Sequence, residues 1–116
     1  LGLRHALLGY RANNINLFLE NIVFLELLAR GYQISIGKLG TREIDFVAEK
    51  HGEKLYVQVC YLLATEEVFE REFGVLRAVD DSYPKLVLSL DDDSFGTLFE
   101  GIKRQNLVNW LLQKAL

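Results

Sequence analysis

Several residue types are missing or scarce in this chain of 116 residues, and each absence narrows what the protein can be. It contains no methionine and begins with Leu1, so we expect it to be a piece of a longer polypeptide. The single cysteine, Cys60, excludes an internal disulfide and is typical of a reduced cytosolic thiol. One cysteine and two histidines also fail to provide the donor set of a structural zinc site.

Long apolar runs and an excess of positive charge are lacking as well. The longest apolar run, residues 22–28, is interrupted by Glu26 and is far shorter than the roughly 20 residues that span a membrane. No signal peptide is recognisable. The net charge of −3 and the pI of about 5.4 do not favour a dedicated DNA-binding protein, although a local basic patch stays open. We therefore expect a cytoplasmic protein without a membrane partner.

Half of the residues are hydrophobic, which predicts a folded domain with a substantial core. Residues 1–14 form a leading segment that we expect to continue from a missing N-terminal part, and residues 15–116 form the domain. In the leading segment, a short helical turn is predicted to end at Gly9, and residues 11–14 form a polar joint. Residues 17–30 are predicted to form a helix that ends before Gly31. It is apolar on nearly every face, so burial on more than one side is expected.

Beyond this helix, period-two alternation predicts three strands and a second helix. The strands are residues 32–37, 42–49 and 54–62. The helix begins after Thr65 and runs to about Val79, with Phe69 and Phe73 in the core. A buried strand (85–90), a short last strand (102–107) and a closing helix with Trp110 inward (108–116) follow. The α/β order α-β-β-β-α-β is the layout of a restriction-endonuclease-like core.

The hairpin of the second and third strands carries the polar side chains that indicate chemistry. If its loop comprises residues 50–53, Asp45 faces Gln58 and Glu43 faces Cys60 across the hairpin. Because side chains two apart share a face, these four residues are expected to lie together. The opposite face of the second strand is predicted to be core: Ile44, Phe46 and Ala48.

An acid on one strand, an acid or amide opposite it and a lysine two residues further on is the arrangement of a Mg²⁺-dependent phosphodiesterase. Carboxylate oxygens hold the metal, which lowers the pKa of a bound water. An acid from a helix often completes the set, and Glu20 is the candidate. Lys54 shares the face of Gln58 but lies four residues away, roughly 13 Å along a strand. The phosphate loop of ATPases is absent from this chain.

Six short motifs resemble a known family. They are Glu20-Asn21, Leu25-Glu26-Leu27-Leu28, Arg30-Gly31-Tyr32, Gly37-Lys38-Leu39-Gly40, Glu43-Ile44-Asp45-Phe46-Val47-Ala48 and Tyr56-Val57-Gln58-Val59. They resemble the uncharacterised C-terminal domain that follows the AAA-type ATPase core in many prokaryotic ATPases. That domain is similar to a diverged PD-(D/E)XK nuclease, the superfamily of restriction enzymes and archaeal Holliday-junction resolvases.

The resemblance implies a role for each candidate position. Glu20 matches the helix acid, Asp45 the strand acid, and Gln58 the position that is Glu, Asp or sometimes Gln. Cys60 stands where active members have lysine. Mg²⁺ or Mn²⁺ at Glu20 and Asp45 is implied if the site survives, and ATP would bind in the missing ATPase part. Because Cys60 and Gln58 remove a cation and an anionic ligand, the resemblance predicts a degenerate site.

Each candidate also has a purely structural interpretation. For Asp45 and Glu43, a solvated strand face is as good an explanation as metal binding. For Gln58 a cross-strand hydrogen bond is favoured, and for Cys60 a small buried residue is favoured over a nucleophile. Glu20 lies on an apolar helix, and a buried carboxylate there needs a backbone donor or an arginine as its partner. The alternative is that Glu20 is a remnant of the nuclease site.

Two polar stretches later in the chain are expected to lie at the surface. Residues 91–93 are predicted to form a solvated turn. Lys103 and Arg104 are predicted to be surface residues rather than phosphate ligands.

Three hypotheses of function follow. The first is a non-catalytic interaction or regulatory domain, whose partner is its own ATPase core, another copy of itself or a further protein. The second is a metal-dependent DNA endonuclease that uses Glu20, Asp45 and Gln58 with a lysine from elsewhere. The third is a DNA-binding module that lost cleavage. The apolar surface of residues 17–28 fits the first, and it equally fits a helix fully buried in its own domain.

Overall fold

The structure is a computed structural model, which describes residues 2–63, 66–91, 98–99 and 101–113. Its elements are α1 (Gly2–Ala29), β1 (Gln33–Leu39), β2 (Arg42–Lys50), β3 (Glu53–Val59), α2 (Glu66–Arg77), β4 (Lys85–Ser89), β5 (Leu98–Phe99), β6 (Ile102–Asn106) and α3 (Leu107–Leu112). The α/β class predicted from the sequence is confirmed.

One mixed sheet runs through the molecule in the order β1-β2-β3-β4-β6-β5. The first three strands are antiparallel, β4 lies parallel to both β3 and β6, and β5 is antiparallel to β6. Helices cover both faces: Leu86 and Leu88 of β4 pack with α1 and α3, while Val87 packs with α2. A central strand covered on both faces is expected to have an apolar middle, as Leu86, Val87 and Leu88 of β4 do.

The hairpin of β2 and β3 has the predicted register. Two residues, His51 and Gly52, form its turn, and both have positive φ (54° and 79°). Turns of this kind match the twist of antiparallel strands, so the pairing continues without a slip. The predicted opposition of Glu49 and Lys54 is confirmed.

The pairing of β1 with β2 contains an irregularity. The register shifts between Ser35 and Gly37, and a Cβ at Gly37 would lie 2.7 Å from Val47 Cγ2. Only glycine allows the two strands to approach so closely. Next to it, Ile36 is 65% exposed.

The predicted core face of β2 is wrong in part. Ile44 packs with Val47 in the cluster beneath α2, whereas Phe46 and Ala48 pack with α1 on the other face. The alternation fails because β2 has two residues, Asp45 and Phe46, opposite the single Ile36 of β1, where the register of the two strands shifts.

Helix α1 is continuous, so the predicted ending at Gly9 and the joint at residues 11–14 are wrong. A single interior glycine destabilises a helix by only about 1 kcal/mol, which is too little to end a helix of 28 residues. The helix ends at Ala29, one residue before the predicted end at Arg30, and Gly31 follows it as predicted. Gly31 has φ 92°, its N–H donates to Leu28 O, and Tyr32 N–H donates to Leu27 O, which is a Schellman motif.

Only one stripe of the described part of α1 is fully covered. Leu19, Val23 and Leu27 are buried, whereas Leu25 is 63% exposed. The expected burial on several sides is therefore wrong for this chain. The other large apolar side chains exposed on α1 are Leu17, Phe18, Phe24 and Leu28.

Two predictions about the later part of the chain are also wrong. Arg104 is only 4% exposed, because it shares a face of β6 with Ile102, beneath α2. Asp91 is not simply solvated, since its Oδ2 accepts the N–H of Leu63 at 2.6 Å. The exposed position of Lys103 and the buried positions of Phe73 and Trp110 are confirmed.

Some predictions fall outside the described residues: Thr65 as a helix cap, the side chain of Phe69, and residues 92–93. Within the part of the chain that the structure describes, no helix has the length and apolar character needed to cross a membrane.

Candidate functional site

The candidate site lies where β2 and β3 separate. Their regular pairing extends to Phe46 opposite Val57. Beyond it, the backbone N–H of Asp45 donates to Gln58 Oε1 at 2.7 Å, and the backbone N–H of Val59 donates to Asp45 Oδ2 at 2.9 Å. Two side chains thus replace the backbone ladder at this point.

Gln58 has the structural role favoured from the sequence. Its side chain is 4% exposed, and its amide oxygen accepts a hydrogen bond from the opposite strand. The oxygen that would face a metal in a nuclease is therefore engaged with the backbone. Withdrawing it would leave the N–H of Asp45 without its acceptor.

Glu20 of α1 contacts Asp45. Burial raises the pKa of Glu20, and the neighbouring Asp45 carboxyl raises it further. Burial also raises the pKa of Asp45, against the opposing effect of the Val59 N–H. The interaction between the two carboxyl groups raises the pKa of Glu20 and lowers that of Asp45. The partner that the sequence analysis required for Glu20 is another acid.

A third acid, Glu72 of α2, approaches the pair, and sequence reasoning missed it. Burial, followed by the charge of Asp45, raises the pKa of Glu72 to about 7. Arg71, whose Nε lies 3.7 Å from Glu72 Oε1, opposes this shift. The signal was present in the sequence, since Glu72 falls midway between Val68 and Leu76 at the four-residue spacing of one helical face.

Cys60 is a buried residue without nucleophilic character. It is 5% exposed, and burial, followed by the charges of Glu72 and Asp91, raises the pKa of its thiol to about 12. The thiol is neutral at physiological pH and provides no positive charge. The burial of Cys60 predicted from the sequence is confirmed.

A cavity of about 370 Å³ opens beside Glu20 and Asp45. Its described lining comes from α1, β1 and β2: Glu20, Asn21, Phe24, Ile36, Glu43, Asp45 and Phe46. The rings of Phe24 and Phe46 are 6.2 Å apart and form an aromatic wall. We will call this space the α1–β2 cavity.

The predicted grouping of four polar side chains on one face is wrong in part. Glu43 and Asp45 line the α1–β2 cavity together with Glu20, but Gln58 and Cys60 are buried and do not line it.

The residues of the candidate site do not fit a divalent metal as they are arranged here. One oxygen of Asp45 and the oxygen of Gln58 accept backbone N–H groups, and the Glu20 carboxyl interacts with that of Asp45. Among the described residues, no group of three or more His, Cys, Asp or Glu side chains is positioned to hold a metal ion.

Comparison with known proteins identifies one relevant similarity. The chain is 40% identical over 112 residues to an uncharacterised protein of Haemophilus influenzae. The match covers 97% of this chain and 27% of that protein. No protein-family profile matches the chain. The chain therefore spans about a quarter of the length of the relative that it matches.

Proposed function

We propose that this chain is a non-catalytic interaction or regulatory domain at the C-terminus of an AAA-type ATPase, with a restriction-endonuclease-like fold and a degenerate nuclease site. One observation carries the proposal. The Asp45 N–H donates to Gln58 Oε1, and the Val59 N–H donates to Asp45 Oδ2. Both candidate metal ligands are therefore hydrogen-bonded to backbone groups.

The order of elements supports the fold named in the proposal. A helix leads into three antiparallel strands, and a second helix connects them to a strand that lies parallel to the third. The two acids and the amide lie at the point where the second and third strands separate.

The surface supports a role in interaction. The exposed face of α1 presents Leu17, Phe18, Phe24, Leu25 and Leu28 to solvent. Contiguous apolar side chains of this size mark a protein contact more often than a free surface. The partner is the ATPase core of the same polypeptide, another copy of the chain or a further protein.

A nuclease assay tests the non-catalytic part of the proposal. The chain is incubated with supercoiled plasmid and with a four-way DNA junction, in Mg²⁺ and in Mn²⁺. We expect no more cleavage than with the Asp45→Asn variant, which keeps an oxygen for the Val59 N–H but removes the charge. Metal-dependent cleavage that is lost in Asp45→Asn would contradict the proposal.

The alternative is a functioning metal-dependent endonuclease similar to Holliday-junction resolvases. The observation that favours it is the convergence of Glu20, Asp45 and Glu72 from three elements. The same assay separates it from a DNA-binding module that lost cleavage, which would bind DNA with an affinity that falls as salt rises and leave the DNA intact.

A further inference from the structure

The α1–β2 cavity combines apolar walls with acidic groups. We propose that it binds a segment of a partner protein that presents a lysine or arginine between apolar side chains. The proposal rests on the proposed function, because it assumes that the domain serves protein interaction.

Apolar contact provides the first part of the argument. Ile36 is 65% exposed at the irregular part of β1, and Phe24 and Phe46 form the aromatic wall opposite it. A volume of about 370 Å³ is in the range of ordinary ligand pockets. The aliphatic stem of a long cationic side chain packs well on such a wall, and a guanidinium is also attracted to aromatic faces.

Charge complementarity provides the second part. Three of the seven described lining residues are acids (Glu20, Glu43 and Asp45), one is the amide Asn21, and none is cationic. A cation entering the cavity would relieve the repulsion between these carboxyl groups. An anionic ligand would increase the repulsion.

The apolar surface continues on both sides of the cavity. Leu17 and Leu28 lie one turn before and after the cavity residues Asn21 and Phe24, on the same stripe of α1, and both are exposed. A segment laid along α1 would therefore contact apolar side chains before and after its cationic residue. A second copy of this chain would bring the same acidic cavity, so complementarity favours a different partner.

The probe is a random phage-displayed peptide library selected against the intact chain, with a recovered peptide then synthesised and titrated by fluorescence anisotropy. We expect the recovered peptides to share a lysine or arginine flanked by leucine, isoleucine or phenylalanine. Binding should weaken about tenfold or more for Glu20→Gln/Glu43→Gln, because both carboxylates that attract the cation are neutralised. Glutamine at position 20 can still donate to Asp45, so folding should be retained.

Matched controls place the binding site. Glu49→Gln/Glu53→Gln removes two exposed acids outside the cavity, and Val108→Ser removes an exposed apolar side chain on α3; neither should weaken binding. Ile36→Ser should weaken it. No recovered binder, binders without a basic residue, or equal effects of cavity and control variants would each overturn the proposal.

The outcome is separable from that of the proposed function. Absence of cavity binding together with absence of DNA cleavage would overturn only the docking proposal. Metal-dependent cleavage lost in Asp45→Asn would overturn the proposed function, whatever the peptides show.

Discussion

At the scale of single residues, the candidate site is defined by the hydrogen bonds that the side chains of Asp45 and Gln58 accept from the backbone. The sequence identifies both residues, but a pattern of acids and amides does not tell whether their oxygens face a metal or the backbone. The distances decide the question, because both side chains accept backbone N–H groups. A buried N–H that loses its acceptor destabilises the fold, so Gln58 holds the strand ends together.

Gln58→Ala should lower the free energy of unfolding by about 1–3 kcal/mol, because it leaves the N–H of Asp45 unsatisfied. Urea denaturation followed by circular dichroism measures the loss. The control is Gln33→Ala on β1, where the side chain is exposed and the change should be within about 0.5 kcal/mol. Equal stability of Gln58→Ala and wild type would show that the cross-strand bond contributes nothing.

Glu72→Gln should make stability less dependent on pH. The folded pKa of about 7 lies above the ordinary value of 4.5, so the folded state holds the proton more tightly. Wild-type stability from this group is therefore complete below pH 4.5 and is lost as the pH rises through about 7. The variant, which needs no proton, should be more stable than wild type by about 1–3 kcal/mol at alkaline pH.

Thermal unfolding at pH values on either side of this window measures the effect. The advantage of Glu72→Gln should vanish at acid pH. Glu70→Gln on the same helix is the control, since Glu70 is exposed and its contact with Arg77 is a surface ion pair. An advantage of Glu72→Gln that is equal at both pH values would show that Glu72 is not protonated in the folded protein at neutral pH.

At the scale of elements, α1 shows what an apolar pattern can and cannot predict. The helix and its Schellman ending follow from residues 17–31, but a helix that is apolar on every face gives no indication of which stripe faces the sheet. In the structure Leu19, Val23 and Leu27 are buried, and the apolar side chains of the opposite side are exposed.

Two leucines on α1 test this division. Leu27→Ala should lower the free energy of unfolding by about 2–5 kcal/mol, because Leu27 is fully buried. Leu25→Ala should change it by no more than about 0.5 kcal/mol, since Leu25 is mostly exposed and alanine is a good helix former. The same urea experiment measures both variants. Equal losses would show that the exposed face is covered within the domain itself.

Gly37 allows β1 to approach β2 closely. Gly37→Ala should destabilise the protein by about 1–3 kcal/mol, because its Cβ would lie 2.7 Å from Val47 Cγ2. Gly74→Ala in α2 is the matched control. Its Cβ would lie 3.7 Å from Arg42 Nη1, and alanine should stabilise the helix by about 0.5–1 kcal/mol. Chemical denaturation that finds both variants equally stable would contradict the close approach of the strands.

At the scale of the whole molecule, local patterns predicted much of the fold and less of the site. The order of the major elements follows from periodicity, and the opposition of Glu49 and Lys54 follows from a short turn. The irregular strand at Asp45 and the burial of Arg104 depend on contacts between distant segments, which no short pattern contains. Glu72 reaches the site only because α2 crosses the sheet opposite α1.

The central claim is that the candidate ligands are hydrogen-bonded within the protein and do not bind a metal ion. A calorimetric titration with Mn²⁺ tests this claim most directly. Wild type is compared with Glu20→Gln, which removes a candidate ligand charge and can keep the hydrogen bond to Asp45. The account predicts no saturable binding up to millimolar Mn²⁺ in either protein. Saturable binding by wild type that disappears in Glu20→Gln would show a functional metal site and contradict the account.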